Sequence, residues 1–358
     1  MHSSNFKRPF QISGIQQIGI GVENADQAFQ WYKRVFGMDV VVFKDKAMAS
    51  LMTCYTGGEV HERYAILAMN LQGGGGFEIW QYMSRKPKGK LNKRSPQDLG
   101  ILWVKIRSAR PKEAFIHMKN EGVQFLTGML TNSEGKYHFF VKDPYENIFE
   151  VIEDDYVFDS CKSFTGGVLG VGIGVSNIEM SQSFYNRLLG YDKVLSEETG
   201  RWKGLGEEFE EAVAVQRVVL THSQNRAGAF AKLLGPTQIE LICHPEISGR
   251  PMFENRYWGD LGFIHVCFDI TGMKELESLC ESIKHPLTVN SNNSFDMGEA
   301  AGQFAYNEDC DGTLIEYVET HKVPILKSLG WYLNLKNRNP EKPLPNWMVK
   351  SLRFSRVK

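Results

Sequence analysis

The sequence predicts an α+β protein built from four copies of one strand–helix–strand–strand–strand module, on three observations. The segment Ile18-Gly19-Ile20-Gly21-Val22 returns as Val171-Gly172-Ile173-Gly174-Val175, a shift of 153 residues (19 to 172). The copy continues without a gap, since Asn24, Tyr32, Arg34 and Gly37 are matched by Asn177, Tyr185, Arg187 and Gly190. A second pair of segments repeats at a shift of 166 (143 to 309): Asp143-Pro144-Tyr145-Glu146-Asn147 answers to Asp309-Cys310-Asp311-Gly312, and Glu150 to Glu316. Self-similarity of this length marks a duplicated structural unit.

The elements of the first module follow from local chemistry. Residues 15–22 read as a strand, and a helix follows over 25–36. Asn24 is a good N-cap, Gln27 stands where a capping box reaches back, and Gly37 stops the helix. Ala28, Trp31, Tyr32, Val35 and Phe36 recur at helical spacing, so that face is expected to be buried. Three extended segments come next, 38–43, 64–71 and 77–82, the last after the glycine turn 73–76. That turn precedes a strand, so it is no phosphate loop.

A second module of the same grammar begins with a strand at 101–106 and a helix at 111–120, opened by Pro111 and ended by Gly122. Strands at 137–141 and 148–152 flank the Asp143 turn. The third module repeats the first and the fourth repeats the second. The expected boundaries are a domain over 1–155 (modules about 13–82 and 99–154), a polar linker, and a domain over 166–320 (modules about 167–244 and 261–319). The tail 321–358, rich in Trp, Asn, Lys and Pro, is expected to pack as an arm over a partner surface.

Composition excludes several classes. A chain of 358 residues exceeds the usual size of one hydrophobic core. Its formal net charge of −1 gives no field that favours nucleic acid or an acidic membrane. No apolar run is long enough to span a bilayer or serve as a secretory signal. The six cysteines lack C-x-x-C spacing and suit a reducing, cytoplasmic interior. A small-molecule substrate or ligand is the expected partner, with the oligomeric state open.

Paired and duplicated modules of this kind resemble the vicinal oxygen chelate superfamily, which takes in glyoxalase I, bleomycin-resistance proteins and extradiol dioxygenases. The resemblance rests on Gln17-Ile18-Gly19-Ile20-Gly21-Val22, on Trp31-Tyr32-x-Arg34-x-Phe36-Gly37, and on Asp143-Pro144-x-x-Asn147-x-x-Glu150. It implies two open-barrel domains, each built from two consecutive modules around a cleft. It also implies metal ligands on the first and last strands of each module.

Carried over residue by residue, the resemblance gives the carboxy-terminal cleft Glu240, His265 and Glu316 as metal ligands, with Gly170 in place of a fourth. That set suits manganese, iron, zinc or nickel. Glu240 could instead act as a catalytic base. The amino-terminal cleft receives a weaker set, Gln17, Glu78 and Glu150, because Trp103 stands where histidine is usual. These carboxylates lie in apolar strands and need partners, since burying them bare costs several kcal/mol. A lysine, an arginine or water bridging them in a metal-free cleft is the alternative.

Tyr306-x-x-Asp309-Cys310-x-Gly312-x-x-x-Glu316 is similar to an extradiol dioxygenase signature, with cysteine in place of proline. Tyr306 is a candidate catalytic residue on that ground, or else a filler of the cleft wall. Cys267 has the strand parity to face the cleft, and Trp103, Trp80 and Trp202 could line it. Three readings remain open. The first is a divalent-metal-assisted lyase or isomerase acting on a small metabolite with vicinal oxygens. The second is a metal-free binding protein of the bleomycin-resistance kind. The third is a ring-cleaving dioxygenase with atypical ligands, which the shortage of histidines disfavours.

Overall fold

The computed structural model describes residues 8–89, 98–201, 214–244, 246, 248–292, 295–296, 301–326 and 331–357. Module one contains β1 (Gln11–Gly21), α1 (Ala25–Phe36), β2 (Val40–Met48), β3 (Glu62–Met69) and β4 (Gly76–Tyr82). Module two contains β5 (Gly100–Ser108), α2 (Pro111–Asn120), two short pieces β6 (Gln124–Phe125) and β7 (Leu130–Thr131), then β8 (Tyr137–Lys142) and β9 (Ile148–Glu153). Module three contains β10 (Val168–Val175), α3 (Ile178–Leu189), β11 (Lys193–Arg201), β12 (Ala214–Thr221), α4 (Ala231–Leu234) and β13 (Gln238–Cys243). Module four contains β14 (Gly262–Thr271), α5 (Met273–Ser282), β15 (Val289–Asn290), β16 (Phe295–Asp296), β17 (Ala301–Glu308) and β18 (Leu314–Leu326). The tail adds β19 (Trp331–Asn334) and α6 (Asn346–Lys350).

The repeated helices close as their sequences require. The Asn24 side chain accepts the Gln27 backbone N–H at 3.0 Å, and Asn177 does the same for Met180 at 2.9 Å. Gly37 and Gly190 end α1 and α3 at φ 63° and 74°, a conformation that glycine adopts without a Cβ penalty.

The strands pair crosswise, which corrects the expected domain scheme. In one sheet β1 lies between β4 and β14, so module one is joined to module four; in the other β10 lies between β13 and β5, joining modules two and three. Consecutive modules are held together by other means. Tyr32 of α1 donates its hydroxyl to Asp143 in the β8–β9 turn at 2.5 Å, and Tyr185 of α3 donates to Asp309 in the β17–β18 turn at 2.8 Å. Arg34 adds an ion pair to Glu121 at 2.7 Å. The first strand of each module offers the same open edge to any other first strand, so neighbours in sequence need not be neighbours in a sheet. With helices and turns binding modules one to two and three to four, the strand edges are free to pair one with four and two with three. One apolar core draws on all four modules, including Ile18, Phe36, Phe149, Leu188, Val266 and Ile315.

The tail also departs from expectation, because it packs on its own chain. β19 pairs with β18. Arg356 forms a bridge with Val40 and an ion pair with Asp39 at the start of β2.

Candidate metal centre

Two clefts arise where the central strands meet, and they share one register. In the first, Gly19 of β1 faces His265 of β14 on one side and Glu78 of β4 on the other, while Cys267 faces Gln17 and Glu316. In the second, Gly172 of β10 faces Trp103 of β5 and Glu240 of β13, while Lys105 faces Gly170 and Glu150. Adjacent strands about 5 Å apart bring such side chains to one face. Crosswise pairing therefore regroups the candidate ligands.

Gln17, Glu78, His265 and Glu316 meet in the first cleft. His265 Nε2 lies 3.0 Å from Glu316 Oε2 and 3.4 Å from Glu78 Oε2, and one ligand atom from each of the three residues falls within 4.8 Å of the others. The Gln17 amide nitrogen lies 3.3 Å from Glu316 Oε2 and 3.5 Å from Glu78 Oε2. Tyr306 of β17 donates its hydroxyl to Glu316 Oε1 at 2.7 Å. The expected trio of Glu240, His265 and Glu316 is thus corrected: Glu78 takes the third place. Glu240 lies on the other sheet, where Lys105 and Arg217 hold it. Glu150, expected beside Gln17 and Glu78, is likewise in the second cleft.

The first cleft fits a divalent cation on its own chemistry. Two carboxylates, an imidazole and an amide converge, and among the described residues neither glutamate has a lysine or arginine partner. Gln17 Oε1 is buried without a hydrogen-bond partner, an oxygen left over for an ion. Amide flips interchange oxygen and nitrogen, so either end of Gln17 can turn toward the cluster.

The electrostatics report the same crowding. Burial would lower the His265 imidazole, yet Glu316 and Glu78 outweigh it and raise its pKa to about 9. Burial works to raise the Glu316 carboxyl, but His265 and Tyr306 leave it below the usual range. Burial, then Glu316, push the Cys267 thiol well above its ordinary value, so it is no ready thiolate. Cys267 shares the His265 face of β14 and is buried.

Aromatic side chains wall the first cleft. Trp80, two residues beyond Glu78 on β4, packs edge-to-face on Trp258 at 4.6 Å, and Trp258 meets Tyr306 at 6.4 Å. Trp103 belongs to the second cleft, so it and Trp80 do not line one groove. Trp202 lies outside the described residues. The sequence reading missed Lys105 and Arg217. Its available signal was a lysine in the otherwise apolar run Ile101-Leu102-Trp103-Val104-Lys105-Ile106.

Residues 14–151 match the family model of the Glyoxalase/Bleomycin resistance protein/Dioxygenase superfamily. The fold and the cleft thus define a glyoxalase-like protein of paired βαβββ modules. That match spans the first two modules, and the fold carries the same module pattern through the rest of the described chain. Among solved structures it is similar to glyoxalase I from Zea mays, at 14% identity and TM-score 0.56, covering 86% of this chain and 92% of that one. It is also similar to a putative dioxygenase from Bacillus subtilis, at 12% identity and TM-score 0.55, covering 86% of each chain. At such identities the likeness concerns the fold alone. No curated protein matches the sequence. Among the described residues no helix is long and apolar enough to cross a membrane.

Proposed function

We propose that the protein is a divalent-metal-assisted lyase or isomerase acting on a small metabolite with vicinal oxygens, in the cleft between modules one and four. The observation that carries this reading is the convergence of Gln17, Glu78, His265 and Glu316 without a basic partner among the described residues. These four residues would hold manganese, iron, zinc or nickel. When bound, such an ion supplies Lewis acidity toward negative charge developing on a substrate oxygen.

The chain's own groups divide the remaining work. Tyr306 and His265 tether Glu316, which suits it to stay a ligand. Among the described residues Glu78 has only the longer approaches of Gln17 at 3.5 Å and His265 at 3.4 Å. It is the freer carboxylate, and the one to accept a proton from substrate carbon. Trp80 and Trp258, both buried, form an apolar wall behind the cluster. That wall also favours a second reading, a metal-free binding protein. A ring-cleaving dioxygenase is disfavoured, because the cluster contains one histidine where that chemistry uses two.

Metal analysis of protein purified without chelator, with solvent deuterium exchange on a panel of α-hydroxycarbonyl compounds, tests the proposal. One ion per chain and exchange at the carbon are expected. Glu78→Gln keeps a neutral oxygen toward the ion, so it should weaken binding without abolishing it and lose exchange, whereas Glu316→Gln should lose the ion. Protein that stays metal-free after incubation with manganese, iron, zinc and nickel would leave only the binding reading.

A further inference from the structure

The second cleft retains the two carboxylates of the first but surrounds them differently. By register, Glu240 corresponds to Glu78 and Glu150 to Glu316. Trp103 takes the place of His265, each lying against a glycine of the repeated Gly-x-Gly segment. The pair Gln17 and Cys267 becomes Gly170 and Lys105, a long side chain having moved from one strand to its neighbour. Lys105 Nζ lies 2.7 Å from Glu150 Oε2 and 2.6 Å from Glu240 Oε2, and the side chain is 3% exposed. The outer oxygens are occupied as well. His138 Nδ1 lies 2.7 Å from Glu150 Oε1, and Arg217 pairs with Glu240 Oε1.

We propose that the Lys105 ammonium is the built-in cation of the second cleft, standing between Glu150 and Glu240 where the first cleft is arranged for a metal ion. Modules two and three are then clamped by an internal charge, and the protein binds one divalent ion per chain. Lys105 and Arg217 balance the two buried glutamates of the cleft, with Arg217 also reaching the half-exposed Glu198 at its rim at 3.3 Å. The loss of the imidazole to Trp103 removes the only nitrogen donor at that register position. Burial alone would lower the Lys105 pKa, yet Glu150 and Glu240 outweigh it and raise it, so the ammonium keeps its proton. The comparison rests on reading the first cleft as the metal site, and the test separates the two.

Manganese is titrated calorimetrically into four proteins: wild type, Glu316→Gln, Trp103→His/Lys105→Cys, and the triple variant. Thermal unfolding is followed with and without the ion. Wild type should bind one equivalent and Glu316→Gln none. The triple variant should regain one equivalent in its second cleft, with a midpoint that rises on adding manganese. Binding to Glu316→Gln that vanishes on further Glu240→Gln substitution would overturn the inference, since it would put metal beside an intact Lys105. So would a folded triple variant that binds nothing. The Glu316→Gln titration retains the native Lys105, so it decides even where the substituted cleft fails to fold. Wild type that binds no manganese defeats the metal reading of the first cleft, while uptake by the Trp103→His/Lys105→Cys protein would still support the role of Lys105.

Discussion

Gly19 and His265 face each other across β1 and β14, and a methyl group on Gly19 would lie 2.5 Å from the imidazole Cε1. Gly172 stands in the same relation to the Trp103 indole. The second glycine of each repeat meets backbone instead, the Asp260 carbonyl at Gly21 and the Asp98 carbonyl at Gly174. The repeated Gly-x-Gly is therefore room for a ring and room for a carbonyl. Gly19→Ala should push His265 off its carboxylates. Metal affinity is expected to fall about 10-fold or more, with a stability loss of about 1–3 kcal/mol from overpacking. Titration calorimetry and denaturant unfolding measure both, and an unchanged affinity would contradict the proposed role of the ring.

Tyr306 orients Glu316 through a 2.7 Å hydrogen bond, and its hydroxyl lies 3.4 Å from His265 Nδ1. The corresponding register position beside Glu150 is Phe140, so this fold accepts a phenyl ring there. Tyr306→Phe should keep the fold and lower metal affinity about 10-fold to 100-fold, the usual cost of losing a partner that orients a ligand. Circular dichroism together with a metal titration checks it. A wild-type affinity would reduce Tyr306 to part of the wall.

Much of this architecture is legible in the sequence, and the limit has a physical cause. Asn24, Gly37, Asn177 and Gly190 announce the helix ends because capping is local. The repeat gives the module count, and strand parity puts Gln17, Glu78, His265 and Glu316 on cleft faces. Which strands adjoin is a non-local matter. β1 pairs with β14 across some 250 residues of chain (Gly19 to His265), and backbone edges carry no address. Grouping ligands by sequence order therefore joined Glu240 to His265, when the hydrogen-bonded partner of His265 is the strand of Gly19. The lysine that fills the second cleft was readable as a charge inside an apolar strand. Its destination depended on the same unseen pairing.

The cross-module hydroxyl of Tyr32 offers a direct measure of how consecutive modules hold together. It is fully buried and donates to Asp143, which also accepts the backbone N–H groups of Tyr145 and Asn147 at 2.8 Å each. Tyr32→Phe removes the donor and leaves a carboxylate with less compensation. A loss of about 1–3 kcal/mol is expected, seen as a lower denaturant midpoint with little change in slope. Tyr185→Phe, its repeat at Asp309, should behave alike. A loss below about 0.5 kcal/mol for both would show that these hydroxyls do not hold the consecutive modules together.

Asp269 on β14 sets a pH dependence of stability that is separate from the metal cluster. Burial raises its carboxyl pKa to about 7, against the smaller opposing effects of Ser13 and Gln16 on β1, and Glu319 on β18 raises it further. The Gln16 amide reaches Oδ1 at 3.3 Å. In an unfolded chain the group titrates near 4. Between those values the native state holds a proton that the unfolded state has released, so stability falls as pH rises from about 4 to about 7 and stays reduced above. Asp269→Asn keeps an acceptor for Gln16 and removes the charge. It should stabilise the protein by an amount on the order of a few kcal/mol above pH 7 and by almost nothing at pH 4. Denaturant unfolding of both proteins across that range gives the answer, and a gain that does not depend on pH would show that Asp269 is already ionised when buried.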